Sequence, residues 1–346
     1  MKAAVFAGPK NIKIKEVDNP IIDDDDVLVR VKYCGICGTD VASYLGVMPH
    51  ISTGEQKYPF IPGHEWSGEI VEAGKNVKKF EIGDRVTGDV SIGCGKCIEC
   101  LKGNYNLCED RLEVGNFRNK NGAMAQYIAM PERHVYRLPE AISFIEGAIT
   151  EPLATALYAF KRIKTGIANH VLVTGTGLIG ILAAQVAQLN RASTVILTGR
   201  TARKLDIARQ CGIKNTVNVS DSDLDLYIKD LKIPAIDFCI ECSGNAAALR
   251  QCIESVKPGG DISIIGFYET EEERLNIDGI TTKDLEVHGI LASPNTFKSA
   301  LDLMSKSLIN YNPLITKIFS LDNTESAIKF ILDRKNNAIK VMLEAS

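Results

Sequence analysis

The stretch His170–Gly180, "HVLVTGTGLIG", sets a short apolar strand directly against a glycine turn, and a helical pattern runs on from it to about Leu189. Gly175, Gly177 and Gly180 have the spacing that permits a tight turn and close approach of backbone to a pyrophosphate. The helix start at Leu178 and Ile179 offers free N–H groups and the positive end of a helix dipole to that anion. The following sequence keeps the same rhythm. "TVILTG", a helix over "ARKLDIARQCG", the strand "IDFCIEC", a helix over "NAAALRQCIESV" ended by "KPGG", and the strand "DISIIGF" come in turn. Strands alternating with helices of about ten to twelve residues predict an α/β domain with a doubly wound parallel sheet covered on both faces.

The second strand of this unit bears on the dinucleotide. NAD binding usually needs an Asp or Glu at its end to hold the ribose hydroxyls. Here "TVILT" runs into Gly199 and Arg200, with Arg203 and Lys204 on the first turn of the next helix. No carboxylate stands there to repel a 2′-phosphate, and a charge-assisted hydrogen bond is worth about 1.5–3 kcal/mol. The pattern favours NADP(H), with NAD(H) as the alternative.

The first 150 residues differ in character. "KAAVFA", "NIKIKEV", "VLVRVKY", "WSGEIVEAG" and "DRVTGDV" read as strands joined by glycine-rich turns, a β-rich domain. At 346 residues the chain is long enough for two domains. After about Ser293, "NTFKSALDLMSK" and "TESAIKFILD" read as amphipathic helices and "AIKVMLEA" as a closing strand. A formal net charge of −3 gives no reason to expect nucleic acid or an anionic membrane as a partner. No apolar run reaches the roughly 20 residues of a membrane span, and the N-terminus lacks a signal-peptide core. A cytoplasmic protein is expected.

Four cysteines, Cys94, Cys97, Cys100 and Cys108, lie within "IGCGKCIECLKGNYNLCED", residues 92–110. In a reducing compartment such a cluster points to a metal rather than to disulfides. The spacing C-x2-C-x2-C-x7-C fits a loop wrapped around one tetrahedral zinc, with Gly93, Gly95 and Gly103 for the turns. A bacterial iron–sulfur run would continue C-x3-C-P, and no such proline follows. With all four positions filled by thiolates, this zinc has no position left for chemistry. Cys34, Cys211, Cys239, Cys242 and Cys252 read as packing residues, Cys239 and Cys242 pointing to opposite faces of a strand.

A second metal set is scattered. "CGICGTD" (residues 34–40) holds Cys37, "PGHEWSG" (62–68) holds His64 and Glu65, and "ITEPLATAL" holds Glu151. Cysteine, histidine and a carboxylate make the three-ligand set of a catalytic zinc, which leaves a fourth position for water or substrate.

"GICGTD", "GHEWSG", "GDRV", the cysteine lobe, "TEPLATAL" and "GTGLIG" occur in this order over nearly the whole chain. Together they resemble the zinc-containing medium-chain alcohol dehydrogenase family, and within it the polyol, threonine and cyclitol branch. "YPFIPGHEWSG" with "LCEDRLEVGNFRNKNGAMAQY" is similar to aminocyclitol (2-deoxy-scyllo-inosamine) dehydrogenases, and "TGRTARKLDIARQCG" to NADP-using ketose reductases. The resemblance implies a GroES-like catalytic domain over 1–150, a Rossmann domain over 151–294 and a return to the catalytic domain over 295–346, with the active site in the cleft. It implies two zincs per chain, Cys37 and His64 as ligands of the catalytic one, and either Glu65 or Glu151 as the third. Thr39 matches the hydroxyl that relays the alcohol proton, and Asp40 matches a carboxylate that orients His64. Many relatives carry a histidine three residues after the relay hydroxyl, where this chain has Ala42. Ser43 and Tyr44 are nearby candidates for substrate hydroxyls. The activity implied is hydride transfer between NADP(H) and a secondary alcohol or ketone of a polyol, cyclitol, ketose or sugar phosphate, in a homodimer or homotetramer. An L-threonine-3-dehydrogenase-like or simple secondary-alcohol dehydrogenase is the near alternative. A nucleotide-sensing protein without catalysis is the alternative from another class, and a metal set with an open position stands against it. A zinc-free quinone reductase would lack both cysteine lobe and ligand set.

Overall fold

The alternation that begins at His170 builds a six-stranded sheet, parallel throughout. The computed structural model describes residues 1–164, 166, 169–268 and 272–345. Its strands lie in the order Asn215–Asn218, Thr194–Gly199, His170–Thr174, Ile236–Glu241, Val256–Ile264 and Glu286–Gly289. Chain order reverses between His170–Thr174 and Ile236–Glu241. That reversal is the switch point at which open α/β sheets bind ligands, outside the carboxyl ends of the strands. The inner strands are apolar runs because both faces are covered: Val171, Leu172, Val173, Ile196 and Leu197 are all buried. The helix Leu178–Leu189 is buried from Leu178 to Ala187 except at Ile179, as its nearly uniform apolar sequence requires. One boundary differs from expectation. "KPGG" does not separate helix from strand but lies inside Val256–Ile264. Ile236 pairs with Val256 and Phe238 with Asp261, so the residues between bulge out of the ladder, where a proline lacking its N–H is tolerated.

The chain divides into two compact units. Residues 1–154, 292–306 and 315–346 form one, and 155–291 with 307–314 form the other, which contains the parallel sheet. The first unit is built on a seven-stranded mixed sheet. Its central strand, Asp26–Ile36, pairs antiparallel with Glu65–Ala73 on one side and, on the other, with Tyr127–Pro131 along its first half and Lys340–Glu344 along its second. Val27, Val29 and Val31 point into a core with Phe6, Trp66, Ile70 and Met124.

The register of this sheet positions the site. Gly35 stands opposite Glu65 and Ile36 opposite Val341. The segment carrying Cys37, the start of the strand carrying Glu65 and the residue Lys340 therefore meet at one end of the sheet. Among the described residues no helix is long and apolar enough to cross a membrane.

Candidate active site

Cys37 caps the helix Gly38–Leu45, and Asp40 sits at the third helical position. The Asp40 carboxylate accepts the Cys37 N–H at 2.8 Å and the Gly63 N–H at 3.1 Å, which ties the two ligand-bearing segments together. Its oxygen lies 4.0 Å from His64 Nδ1, and that nitrogen has no hydrogen-bond partner. Asp40 therefore faces His64 at ion-pair rather than hydrogen-bond separation, while its hydrogen bonds go to backbone, including Gly63 at φ +96°. A side chain at Gly63 would also meet Cys34 Sγ at 2.7 Å, so both backbone and space demand glycine here.

Ligand atoms of Cys37, His64 and Glu65 lie within 4.8 Å of one another, and His64 and Glu65 are buried. A thiol, an imidazole and a carboxylate at that separation fit a single zinc. Glu65 is also committed elsewhere. Its Oε2 pairs with Lys340 Nζ at 2.5 Å, and Lys340 donates a second bond to the Ile36 carbonyl. Lys340 is buried, yet Glu65 and its neighbours hold its amine above the ordinary lysine value against the opposing effect of burial. Glu151, on the first turn of Thr150–Lys161, lies outside that three-residue cluster but is buried and raises His64 electrostatically. Thr39 Oγ1 is buried and without a hydrogen-bond partner. Tyr44 packs edge-on against Phe6 in the core, and the Ser43 carbonyl accepts the Tyr58 hydroxyl. Neither is presented as a substrate contact.

The cysteine lobe is a second cluster. Sγ atoms of Cys94, Cys97, Cys100 and Cys108 lie within 4.8 Å of one another, with 4.0 Å between Cys94 and Cys100. A tetrahedron of 2.3 Å zinc–sulfur bonds has edges of about 3.8 Å, so the donors fit one zinc. Backbone N–H groups of Lys96 and Cys97 draw the Cys94 thiol down to about 6. Burial drives Cys100 the other way, up to about 12, a penalty a divalent cation would offset. A Cβ at Gly93 would lie 2.6 Å from Cys100 Sγ, which explains the glycine. Cys100→Ser should lower zinc content by about one per chain in mass spectrometry. A loss of ~3 kcal/mol with it would lower the melting midpoint by about 6–12 °C.

The lobe is anchored by residues the sequence did not single out. Tyr105 donates to Asp89 at 2.5 Å and accepts the Asn295 N–H at 2.9 Å. Burial pushes the Asp89 carboxyl up to about 7 against its hydrogen bonds from Tyr105 and Ser91. The folded protein therefore holds more protons than the unfolded chain between about pH 4 and 7. This site's contribution falls as pH rises through that window and is flat above it. Asp89→Asn should gain on the parent by roughly 2 kcal/mol between pH 5 and pH 7 in urea unfolding.

In the other unit Gly175, at φ +105°, Gly177 and Gly180 form the turn into Leu178–Leu189. A Cβ at Gly180 would lie 1.9 Å from the Gly175 carbonyl, and one at Gly199 would lie 2.5 Å from the Thr176 side chain. Beside this turn is a cavity of about 400 Å3 lined by Gly175, Gly199, Arg200, Lys204 and, unforeseen, Thr176, Thr201, Ser243 and Asn245. No carboxylate is among its lining residues. Burial lowers the Lys204 amine, and an anion beside it would favour the charged form. Arg203 is exposed and not among the lining residues. Leu178 and Ile179 do not line the cavity either and would contribute only backbone N–H groups. The glycine cradle and the cationic, acid-free rim fit a phosphorylated dinucleotide.

One unit thus holds two zinc-shaped donor sets and the other a dinucleotide cradle, the equipment of a metal-dependent oxidoreductase. Comparison with known proteins agrees. Residues 23–140 match the alcohol dehydrogenase GroES-like domain, and residues 179–306 match the zinc-binding dehydrogenase domain. The sorbitol dehydrogenase of Bacillus subtilis is 33% identical, covering 99% of this chain and 97% of its own. The D-arabitol-phosphate dehydrogenase of Enterococcus avium is 30% identical over 94% of this chain and 92% of its own. A zinc-binding dehydrogenase of Sinorhizobium meliloti 1021, solved with NADP bound, is 32% identical with a TM-score of 0.87, covering 99% of this chain and 98% of that one. The chain belongs to the zinc-containing medium-chain alcohol dehydrogenase family, and it is an oxidoreductase.

Proposed function

We propose that this enzyme interconverts a secondary alcohol and a ketone on a polyol, cyclitol, ketose or sugar phosphate, with NADP(H) as the hydride carrier. The observation that carries the reading is the cluster of Cys37 with the buried His64 and Glu65, beside the unpartnered Thr39 hydroxyl. The polyol and polyol-phosphate relatives favour the same substrate class.

Cys37, His64 and Glu65 would hold one zinc, and the four-cysteine lobe a second. Bound zinc supplies Lewis acidity, which brings an oxygen-bound proton's pKa toward neutrality or polarises a carbonyl. Thr39 Oγ1 has an acceptor site free to take the alcohol proton in oxidation and a proton to return in reduction. Lys340 fixes the Glu65 carboxylate through Oε2, and Oε1 is outside that ion pair. Glu151 is the alternative third ligand. Asp40 sets the spacing of Cys37 and His64 through the backbone. Ala42 has no group to carry a proton onward, so the proton would leave by water, the cofactor ribose or another side chain. The assembly proposed is a homodimer or homotetramer, read by sedimentation.

The acid-free rim of the cavity supports NADP(H) over NAD(H). The double variant Arg200→Ala, Lys204→Ala should raise KM for NADPH by roughly ten- to hundredfold and leave KM for NADH nearly unchanged. The test of the whole reading is zinc content together with NADPH and NADH oxidation against ketoses, inososes and sugar phosphates. About two zincs per chain and faster NADPH turnover on one ketone class would support it. One zinc and no turnover on any of them would overturn the assignment of Cys37, His64 and Glu65.

A further inference from the structure

The strands Val256–Ile264 and Glu286–Gly289 pair in parallel at one edge of the six-stranded sheet, with Asp261 opposite Glu286 and Ser263 opposite His288. Residues two apart on a strand share a face, so these four side chains stand on one face of the pair. His288 Nε2 lies 3.2 Å from Asp261 Oδ1 and 3.8 Å from Glu286 Oε2, and one donor atom from each of the three lies within 4.8 Å of the others. Neighbouring ligands around a zinc ion with bonds of about 2.1 Å stand roughly 3.0–3.4 Å apart. The His288–Asp261 separation fits as it stands. The Glu286 side chain is 47% exposed and has room to close the rest.

The surroundings favour a cation independently of these donors. Ser263 donates to the Ala159 carbonyl at 3.2 Å, in the last turn of the helix Thr150–Lys161. The negative end of that helix dipole therefore lies against the face that carries the cluster. Three residues past the helix, Lys164 Nζ pairs with Glu286 Oε1 and leaves Oε2 to His288. Glu286, and more weakly Asp261, hold the Lys164 amine above the ordinary lysine value, so the cluster already draws in positive charge. Asp261 is buried, and a buried carboxylate is stable only with a partner for its charge. An imidazole beside two carboxylates, with positions left for water, suits zinc better than magnesium or calcium, which take oxygen ligands.

We propose that Asp261, Glu286 and His288 form a further metal site, an exchangeable zinc site that ties the edge strand Glu286–Gly289 to its neighbour. It lies in the unit of the parallel sheet, outside the unit that holds the cysteine lobe and the Cys37 cluster. Lys164 competes with the ion for Glu286, so the zinc is held reversibly and leaves on dialysis.

The test is calorimetric titration of the dialysed holoenzyme with zinc chloride. The parent should take up one zinc per chain more than His288→Gln, whose amide can still donate to Asp261 but lacks the imidazole. Loss even of a metal ligand's outer partner costs about ten- to a hundredfold in affinity, so this variant should weaken the extra event at least about tenfold. Equal uptake by parent and variant, or none by either, would overturn the proposal. Lys164→Met removes the competing charge and should tighten the site about threefold or more. Unchanged or weaker binding would count against the site just as decisively. Cobalt in place of zinc locates the ion. The difference spectrum between parent and His288→Gln should lack the charge-transfer band of a thiolate ligand, and such a band would assign the ion to cysteines and refute the site. None of these readouts depends on turnover.

Discussion

His64→Ala should cost at least about a thousandfold in kcat/KM, or ~4 kcal/mol of barrier, and should remove about one zinc per chain. The magnitude follows from what the three donors do together. Cys37 and Glu65 alone leave a two-ligand set, and a catalytic zinc is normally held by three protein ligands. The Lewis acidity that assists an alcohol's deprotonation is worth several kcal/mol, and it is lost with the ion. The fold should survive, because His64 sits at a sheet end rather than in the apolar core. Far-ultraviolet circular dichroism, metal analysis and steady-state kinetics on one preparation check all three statements. Full zinc content with near-normal turnover would show that His64 is not a ligand. Cys37→Ser should behave alike, while Cys100→Ser should remove the other zinc.

The second large effect is on stability. Lys340→Met should destabilise the protein by about 3–5 kcal/mol, the usual cost of stranding one partner of a buried ion pair. Both side chains are only 3% exposed, and Lys340 is also lost as a donor to the Ile36 carbonyl. A side chain at Gly35 would meet Glu65 Oε2 at 2.2 Å, so the carboxylate has no room to retreat on that side. The double variant Lys340→Met, Glu65→Gln should recover at least half the loss, since replacing both members of a buried pair is often near neutral. Urea unfolding of the four proteins in the cycle gives the coupling. A cost below ~1 kcal/mol for Lys340→Met would mean that another cation already balances Glu65.

Much of the site can be read from short segments. A strand followed by Gly175, Gly177 and Gly180, or Cys94, Cys97, Cys100 and Cys108 in one loop, is a local arrangement. Turn geometry and ligand spacing operate over a few residues, so the chain announces them directly. The absence of a carboxylate after "TVILT" is equally local, and the cavity's lining agrees with it. Charge alone did not say that Arg200 and Lys204 line the cavity while Arg203 is exposed, because which side of a helix faces a cavity depends on how the helix packs.

Other features belong to the folded chain only. Lys340 and Glu65 are 275 residues apart and meet because two strands flank Asp26–Ile36 in a particular register. Asp40 bonds the backbone of Cys37 and of Gly63, 23 residues on, and Tyr105 joins Asp89 to Asn295 across 190 residues. The return of residues 307–314 to the unit holding the parallel sheet has no mark in their composition. The sequence by itself determined the parallel-sheet class, the dinucleotide turn, the cysteine lobe and the family. The tertiary structure decided which buried charges face one another, because burial turns a lone polar residue into a requirement for a partner, and sheet register, not sequence distance, supplies that partner.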